Sequence, residues 1–229
     1  MATVLEHPQA AGPPPTGRKR FANFAEYWQS IGSIPLKRIL LDAPFSLAME
    51  SDVLWLIAEH KQYCELIDGT LVEKAVGSFE DLIATMLLTS LNAFVQARKL
   101  GIATGSACII RVSPDQLRMP DVSFFSNERI PNRSALTDPI WDMVPDLAVE
   151  IISVGNTRDE MARKIREYFA AGVREIWFIY PKTRTAEVFQ PVSPEPVAML
   201  QSSDRLDGGS IIPGFGIVIN DLFAPIDQK

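Results

Sequence analysis

Apolar residues at positions 79, 82, 83, 86, 87, 91, 94 and 95 recur every three or four residues. That period predicts a long amphipathic helix over 79–99, stopping at Lys99 before Gly101. A second helix is marked at both ends. Thr157 and Glu160 have capping-box spacing, Gly172 stands at the stop, and Met161, Ile165, Tyr168 and Phe169 line one face. Between and around these helices the period changes. YCELIDGTLVEK (63–74) holds two strand-like runs flanking Asp68-Gly69, a hairpin signal. IATG (102–105), ACIIRV (107–112) and DVSFF (121–125) are further strands. LAVEIIS (147–153) and EIWFIY (175–180) are nearly continuous apolar runs of the buried-strand type, and TAEVFQ (185–190) alternates like an outer strand. Short strands, the turn Asp207-Gly208-Gly209 and IIPGFGIVINDLF close the chain, with no internal repeat. This order predicts an α/β (α+β) architecture, a mixed central sheet with helices on its faces.

The N-terminal part reads differently. Residues 1–20, rich in Ala, Pro and Gly, form a predicted flexible tail ending in the basic cluster Gly17-Arg18-Lys19-Arg20. That cluster is either a solvated flank or a phosphate-contacting arm. Aromatics at 21, 24, 27 and 28 predict a short docking helix, and residues 21–35 serve as docking helix and linker to a single domain over 36–225. Ser51 opens a further short helix, DVLWLIAEH.

Composition narrows the class. At 47% hydrophobic and 22% charged, 229 residues suit one globular domain rather than a disordered chain. The longest apolar run falls short of the roughly 18–20 residues a bilayer requires. MATVLEHPQAAGPPP lacks a charged n-region and an apolar h-region, so a cytoplasmic location is expected. Cys64 and Cys108 form no CxxC pair and read as free thiols. A net charge of −6 provides no global field for nucleic acid, which leaves only a local basic strip as a means of attracting it.

Elimination then directs attention to carboxylates. His7 and His60 are the only histidines, no Walker-type loop occurs, and Gly214-Phe215-Gly216 lacks the third glycine of a dinucleotide motif. Glu150 lies inside LAVEIIS, where a charge is costly unless it is paired or bound to a cation. Asp121 opens DVSFF directly after Pro120, and Glu80 stands near the start of the long helix. Two carboxylates from adjacent strand ends suit Mg²⁺, which takes hard oxygen ligands. A nearby lysine could orient or deprotonate a water, or stabilise charge on a phosphate. Each residue also has a structural reading. Asp121 could be an edge residue and Glu80 a favourable helix-dipole partner, while Lys164 could pair with Glu160. Lys164 nevertheless borders the buried stripe, three residues after Met161 and four before Tyr168.

RMPDVSFF (118–125), PDLAVEIIS (145–153), KIREY (164–168) and AGVREIWFI (171–179) resemble, in order and spacing, the Uma-type restriction endonuclease family. YCELIDGTLVEK and GSFEDLIATMLLTSL (77–91) are similar to that family's hairpin and first long helix. The resemblance implies a restriction-endonuclease-like core of the PD-(D/E)XK superfamily. It places the first acid at Asp121, the second at Glu150 and the helical glutamate at Glu80. The parent superfamily's lysine position is Ile152 here, and Lys164 on the following helix is the family's matching lysine. The implied activity is that of a Mg²⁺-dependent (or Mn²⁺-dependent) endonuclease on DNA. Asp121, Glu150 and Glu80 would be metal ligands and Lys164 the catalytic cation, with Arg111 and Arg118 on the DNA backbone. A homodimer would suit cutting of both strands. The alternatives are a non-catalytic nucleic-acid-binding or regulatory protein on the same fold, and an oligomerisation module using the aromatic helix.

Overall fold

The computed structural model of the chain describes residues 21–75, 77–130 and 132–227. The predicted tail and its basic cluster lie outside the described residues. Helix α1 (Phe24–Ser30) starts where the Asn23 side chain accepts the Glu26 N–H. Helix α2 (Glu50–Trp55) runs on into one π-helical turn over Leu56–His60. Strands β1 (Cys64–Ile67) and β2 (Thr70–Glu73) are joined through Asp68 and Gly69, at φ 46° and 72°. Two positive φ values make this a turn that follows strand twist, and a Cβ on Gly69 would strike the Ser46 main chain.

Helix α3 (Ser78–Arg98) and strand β3 (Gly101–Gly105) follow as expected. The strand expected over 107–112 begins only at Ile110, forming β4 (Ile110–Ser113), because Cys108 N–H turns back to Gly105 O. Its partner β5 (Gln116–Arg118) is too short to show a period in sequence. Then come β6 (Val122–Ser126), β7 (Leu147–Ile151), α4 (Arg158–Ala171), β8 (Glu175–Tyr180), β9 (Thr185–Phe189) and β10 (Ala198–Leu200). The capping box of Thr157 with Glu160 is formed at the start of α4, and Gly172 ends it at φ 100°. Strands β11 (Arg205–Asp207) and β12 (Gly216–Val218) make a separate ribbon.

Two larger sheets result. One has the order β2-β1-β5-β4; the other is β10-β9-β8-β7-β6-β3, mixed because β7 and β8 alone run parallel, joined by α4 as their crossover. Side chains alternate across the six-stranded sheet. Val122, Phe124, Leu147, Val149, Ile151, Trp177 and Ile179 pack with Ile83, Leu87, Leu91 and Val95 of α3. Phe125, Ala148, Ile176 and Phe178 pack on the other face with Met161 and Tyr168 of α4. By the period of two, Asp121 and Glu150 belong to this second face. The N-terminal helix is bound to the same body: Tyr27, Ile31, Ile34 and Ile39 bury against Ile67 and Val72. Arg38 holds Glu160 with two hydrogen bonds of 2.9 and 3.0 Å. No helix among the described residues is long and apolar enough to cross a membrane.

Candidate active site

Strands β6 and β7 pair with Val122 opposite Val149, and Asp121 N–H donates to Val149 O at 2.9 Å. One step further along this register Asp121 stands opposite Glu150, on the face toward α4. Pro120 keeps the approach to Asp121 extended, at the point where the chain leaves the four-stranded sheet for the six-stranded one. Asp121 Oδ2 accepts the Ile151 N–H at 2.7 Å, which fixes the carboxylate on the end of β7.

Helix α4 brings Lys164 to the pair. Its Nζ lies 2.9 Å from Glu150 Oε2 and 3.2 Å from Glu65 Oε1, and the residue is 3% exposed. It is therefore not a surface partner of Glu160, which Arg38 takes instead. Tyr168, one turn on, donates its hydroxyl to Glu150 Oε1 at 2.6 Å. Burial pushes the Glu150 carboxyl up, Lys164 pulls it down and Asp121 pushes it up again, leaving it above the ordinary value. Burial would lower the Lys164 ammonium, but Glu150 and Glu65 outweigh it and hold the group charged. Burial foremost, then the Glu150 carboxylate, raises the Tyr168 hydroxyl, so it remains a donor.

Two members of the site were not anticipated from sequence. Glu65 of β1 is fully buried and accepts from Arg118 Nη1 at 2.8 Å and from the Met119 N–H at 3.1 Å. Burial alone would raise its carboxyl; Lys164 and Arg118 prevail and hold it below the usual carboxylate range. Lys74, just past β2, places Nζ 2.9 Å from Asp121 Oδ1. The signal for Glu65 was the one that singled out Glu150, a charge inside an apolar strand. Lys74 carried no signal, because it ends a hairpin where lysine is commonplace.

The expected backbone-contacting arginines are corrected in one case. Arg118 is 0% exposed and spends its charge on Glu65 and on Glu167, 2.7 Å from its Nε, so it presents nothing to a DNA backbone. Arg111 is half-buried and paired with Glu50 and Asp142. Glu80 lies on the first turn of α3, which covers the opposite face of the sheet, and its carboxylate folds over Gly77. No hydrogen bond or ion pair among the described residues joins it to Asp121, Glu150 or Lys164. Cys64 and Cys108 are free, and burial pushes their thiols up to about 12 and about 11. They are inert packing groups rather than nucleophiles.

The donor chemistry fits a hard divalent cation. Asp121 and Glu150 supply oxygen, and Asp121 Oδ1 already holds a positive centre. Ser123, two residues along the same face, keeps Oγ buried without a partner among the described residues. No three His, Cys, Asp or Glu side chains gather as a ligand set among those residues, so water and substrate oxygen would complete a shell, as Mg²⁺ commonly requires.

The model of the Uma2 family, described as "Putative restriction endonuclease", matches residues 49–220, and the chain belongs to that family. A solved structure, described as a putative nuclease belonging to DUF820 from Anabaena variabilis, shares the fold with a TM-score of 0.61. The match covers 72% of this chain and 91% of that one, at 21% identity. No curated protein matches the sequence.

Proposed function

We propose that this chain is a Mg²⁺-dependent or Mn²⁺-dependent endonuclease that hydrolyses phosphodiester bonds of DNA. The observation that carries the reading is the opposition of Asp121 and Glu150 across two antiparallel strands, with the Lys164 ammonium 2.9 Å from the second carboxylate. A divalent cation held by those two acids supplies Lewis-acid polarisation of the phosphate and activates water for attack. Asp121 is the more open of the two, its side chain 14% exposed against 6% for Glu150, and faces the substrate side. Lys164 offsets part of the burial that raises the Glu150 carboxyl and stabilises charge that develops at the phosphate. Tyr168 fixes the Glu150 carboxylate by its hydroxyl. The resemblance to a nuclease family supports nucleic acid as the substrate class, and a homodimer would let two such sites address both strands.

A second reading has its own observation. Both Glu150 oxygens are already taken, Oε2 by Lys164 and Oε1 by Tyr168, and Ile152 stands at the parent superfamily's lysine position, so a non-catalytic nucleic-acid-binding or regulatory protein on the same fold is the alternative. Cleavage of supercoiled plasmid and single-stranded DNA separates the two. The wild type in Mg²⁺, Mn²⁺ or EDTA is run beside Asp121→Ala and Lys164→Ala, each first confirmed as folded. Cleavage that EDTA and both substitutions abolish is the expected result. Retention of DNA without cleavage under any of these conditions would favour the binding protein.

A further inference from the structure

Lys164 and Lys74 each sit on one of the two opposed carboxylates, but their surroundings differ. Lys164 is gripped by two acids, Glu150 and Glu65, at 2.9 and 3.2 Å. Lys74 has one acid, Asp121 at 2.9 Å, and otherwise two main-chain carbonyls, Met119 O at 2.6 Å and Ser106 O at 3.4 Å. An ammonium bound by neutral carbonyls gives up less on changing partner than one held between two carboxylates. Lys74 also stands on the more exposed of the two acids and follows directly on the end of β2.

We infer that Lys74 is a second lysine of the site, the resident counter-ion of Asp121 in the free protein and a ligand of substrate phosphate in the loaded one. The inference rests on the reading of Asp121 and Glu150 as cation-holding acids. Lys74 neutralises Asp121 while the site is idle, so that two opposed carboxylates do not face each other uncompensated. It leaves Asp121 Oδ1 when a divalent cation is taken up, since two positive centres on one oxygen repel. Its freed ammonium would then be available to a substrate phosphate and would contribute charge there. Lys164 stays in place as the positioning cation of Glu150. Lys74 therefore competes with metal and assists catalysis, two effects of opposite sign that a merely structural lysine would not combine.

The test uses the full chain with Lys74→Gln, which keeps a donor for Met119 O while removing the charge, and Lys74→Arg, which keeps the charge. Mn²⁺ affinity is measured by calorimetry and electron spin resonance, and single-turnover plasmid cleavage is followed in parallel. Lys74→Gln is expected to bind Mn²⁺ about tenfold more tightly than wild type, because a competing cation is gone. It is expected to cleave about 10²-fold more slowly at saturating Mn²⁺, the scale of removing one charge-stabilising donor. Lys74→Arg should bind Mn²⁺ like the wild type. Unchanged or weaker Mn²⁺ binding by Lys74→Gln, or tighter binding without loss of rate, overturns the assignment. If Lys74→Gln does not fold, Lys74→Arg decides alone: tighter Mn²⁺ binding with the charge retained overturns it. Failure of the wild type itself to bind Mn²⁺ overturns the metal reading beneath it, which is a different result from failure of Lys74.

Discussion

Pro120-Asp121 leads into β6 and Pro145-Asp146 leads into β7. Because these strands are antiparallel, the two aspartates stand at opposite ends of one strand pair. Each caps its neighbour: Asp121 Oδ2 accepts the Ile151 N–H at 2.7 Å, and Asp146 Oδ2 accepts the Ser126 N–H at 2.8 Å. Beyond that shared duty they diverge. Asp146 meets Arg129 and Arg174 at 3.2 and 3.3 Å and has no second carboxylate across the strand. Asp121 meets Glu150, with a lysine on each acid. The dipeptide and its place at a strand's start are common to both ends. What sets the Asp121 end apart is the carboxylate opposite it, each acid carrying its own lysine.

The largest effect should come from the Asp121 end. Asp121→Asn is expected to lower the cleavage rate per folded molecule by about 10³-fold, whereas Asp146→Asn leaves that rate unchanged. Equal losses in a single-turnover assay would dissolve the distinction. The Asp146 end should register in stability instead. Asp146→Asn is expected to cost about 1–3 kcal/mol in urea unfolding at neutral pH, since a buried acceptor of charged donors is lost. The sign of its pH dependence follows. Burial pushes the Asp146 carboxyl up, but the Ser126 amide and then Arg129 and Arg174 outweigh it, so it lies below the ordinary value of 3.8. Its contribution is complete above 3.8 and is lost as pH falls through the lower folded value, so the gap between Asp146→Asn and wild type should close in acid.

Smaller changes sharpen the contrast. Glu150→Gln keeps an acceptor for Lys164 and Tyr168 while removing the charge, and is expected to lose Mn²⁺ binding. Thermal melts with and without the metal read this as a rise in Tm for wild type that the variant lacks. Arg174 is half-exposed, and Arg174→Gln should cost only about 0–1 kcal/mol, a shift in the urea midpoint smaller than that of Asp146→Asn.

Much of the scaffold was legible because its elements carry strong local patterns. The 3.6 period of α3, the Thr157–Glu160 box with Gly172 at either end of α4, the Asp68-Gly69 turn and the apolar runs of β7 and β8 are all contained in short windows. Strand β5 was not, since three residues show no period, and β4 started late because a turn at Ser106–Cys108 interrupts an otherwise strand-like run. Within the site, Glu150 stood out as a charge in an apolar strand, and Glu65 offered the same signal without its partners in view. Arg118 was misread for a physical reason. An arginine beside a Pro-Asp pair looks solvent-facing in one dimension, and only the approach of Glu65 and Glu167 makes its burial affordable.

The sequence by itself determined the two long helices and the apolar strands of the larger sheet, which face of each is apolar, and that carboxylates and lysines are the available chemistry. Those properties depend on neighbours within a few residues. Only the tertiary structure decided that Asp121 faces Glu150, that Lys164 joins β7 to Glu65 on the other sheet, and that Lys74 rests on Asp121. Charge pairing acts over a few ångströms in space between positions as far as 122 residues apart, as with Arg38 and Glu160, and no local pattern encodes which ends will meet.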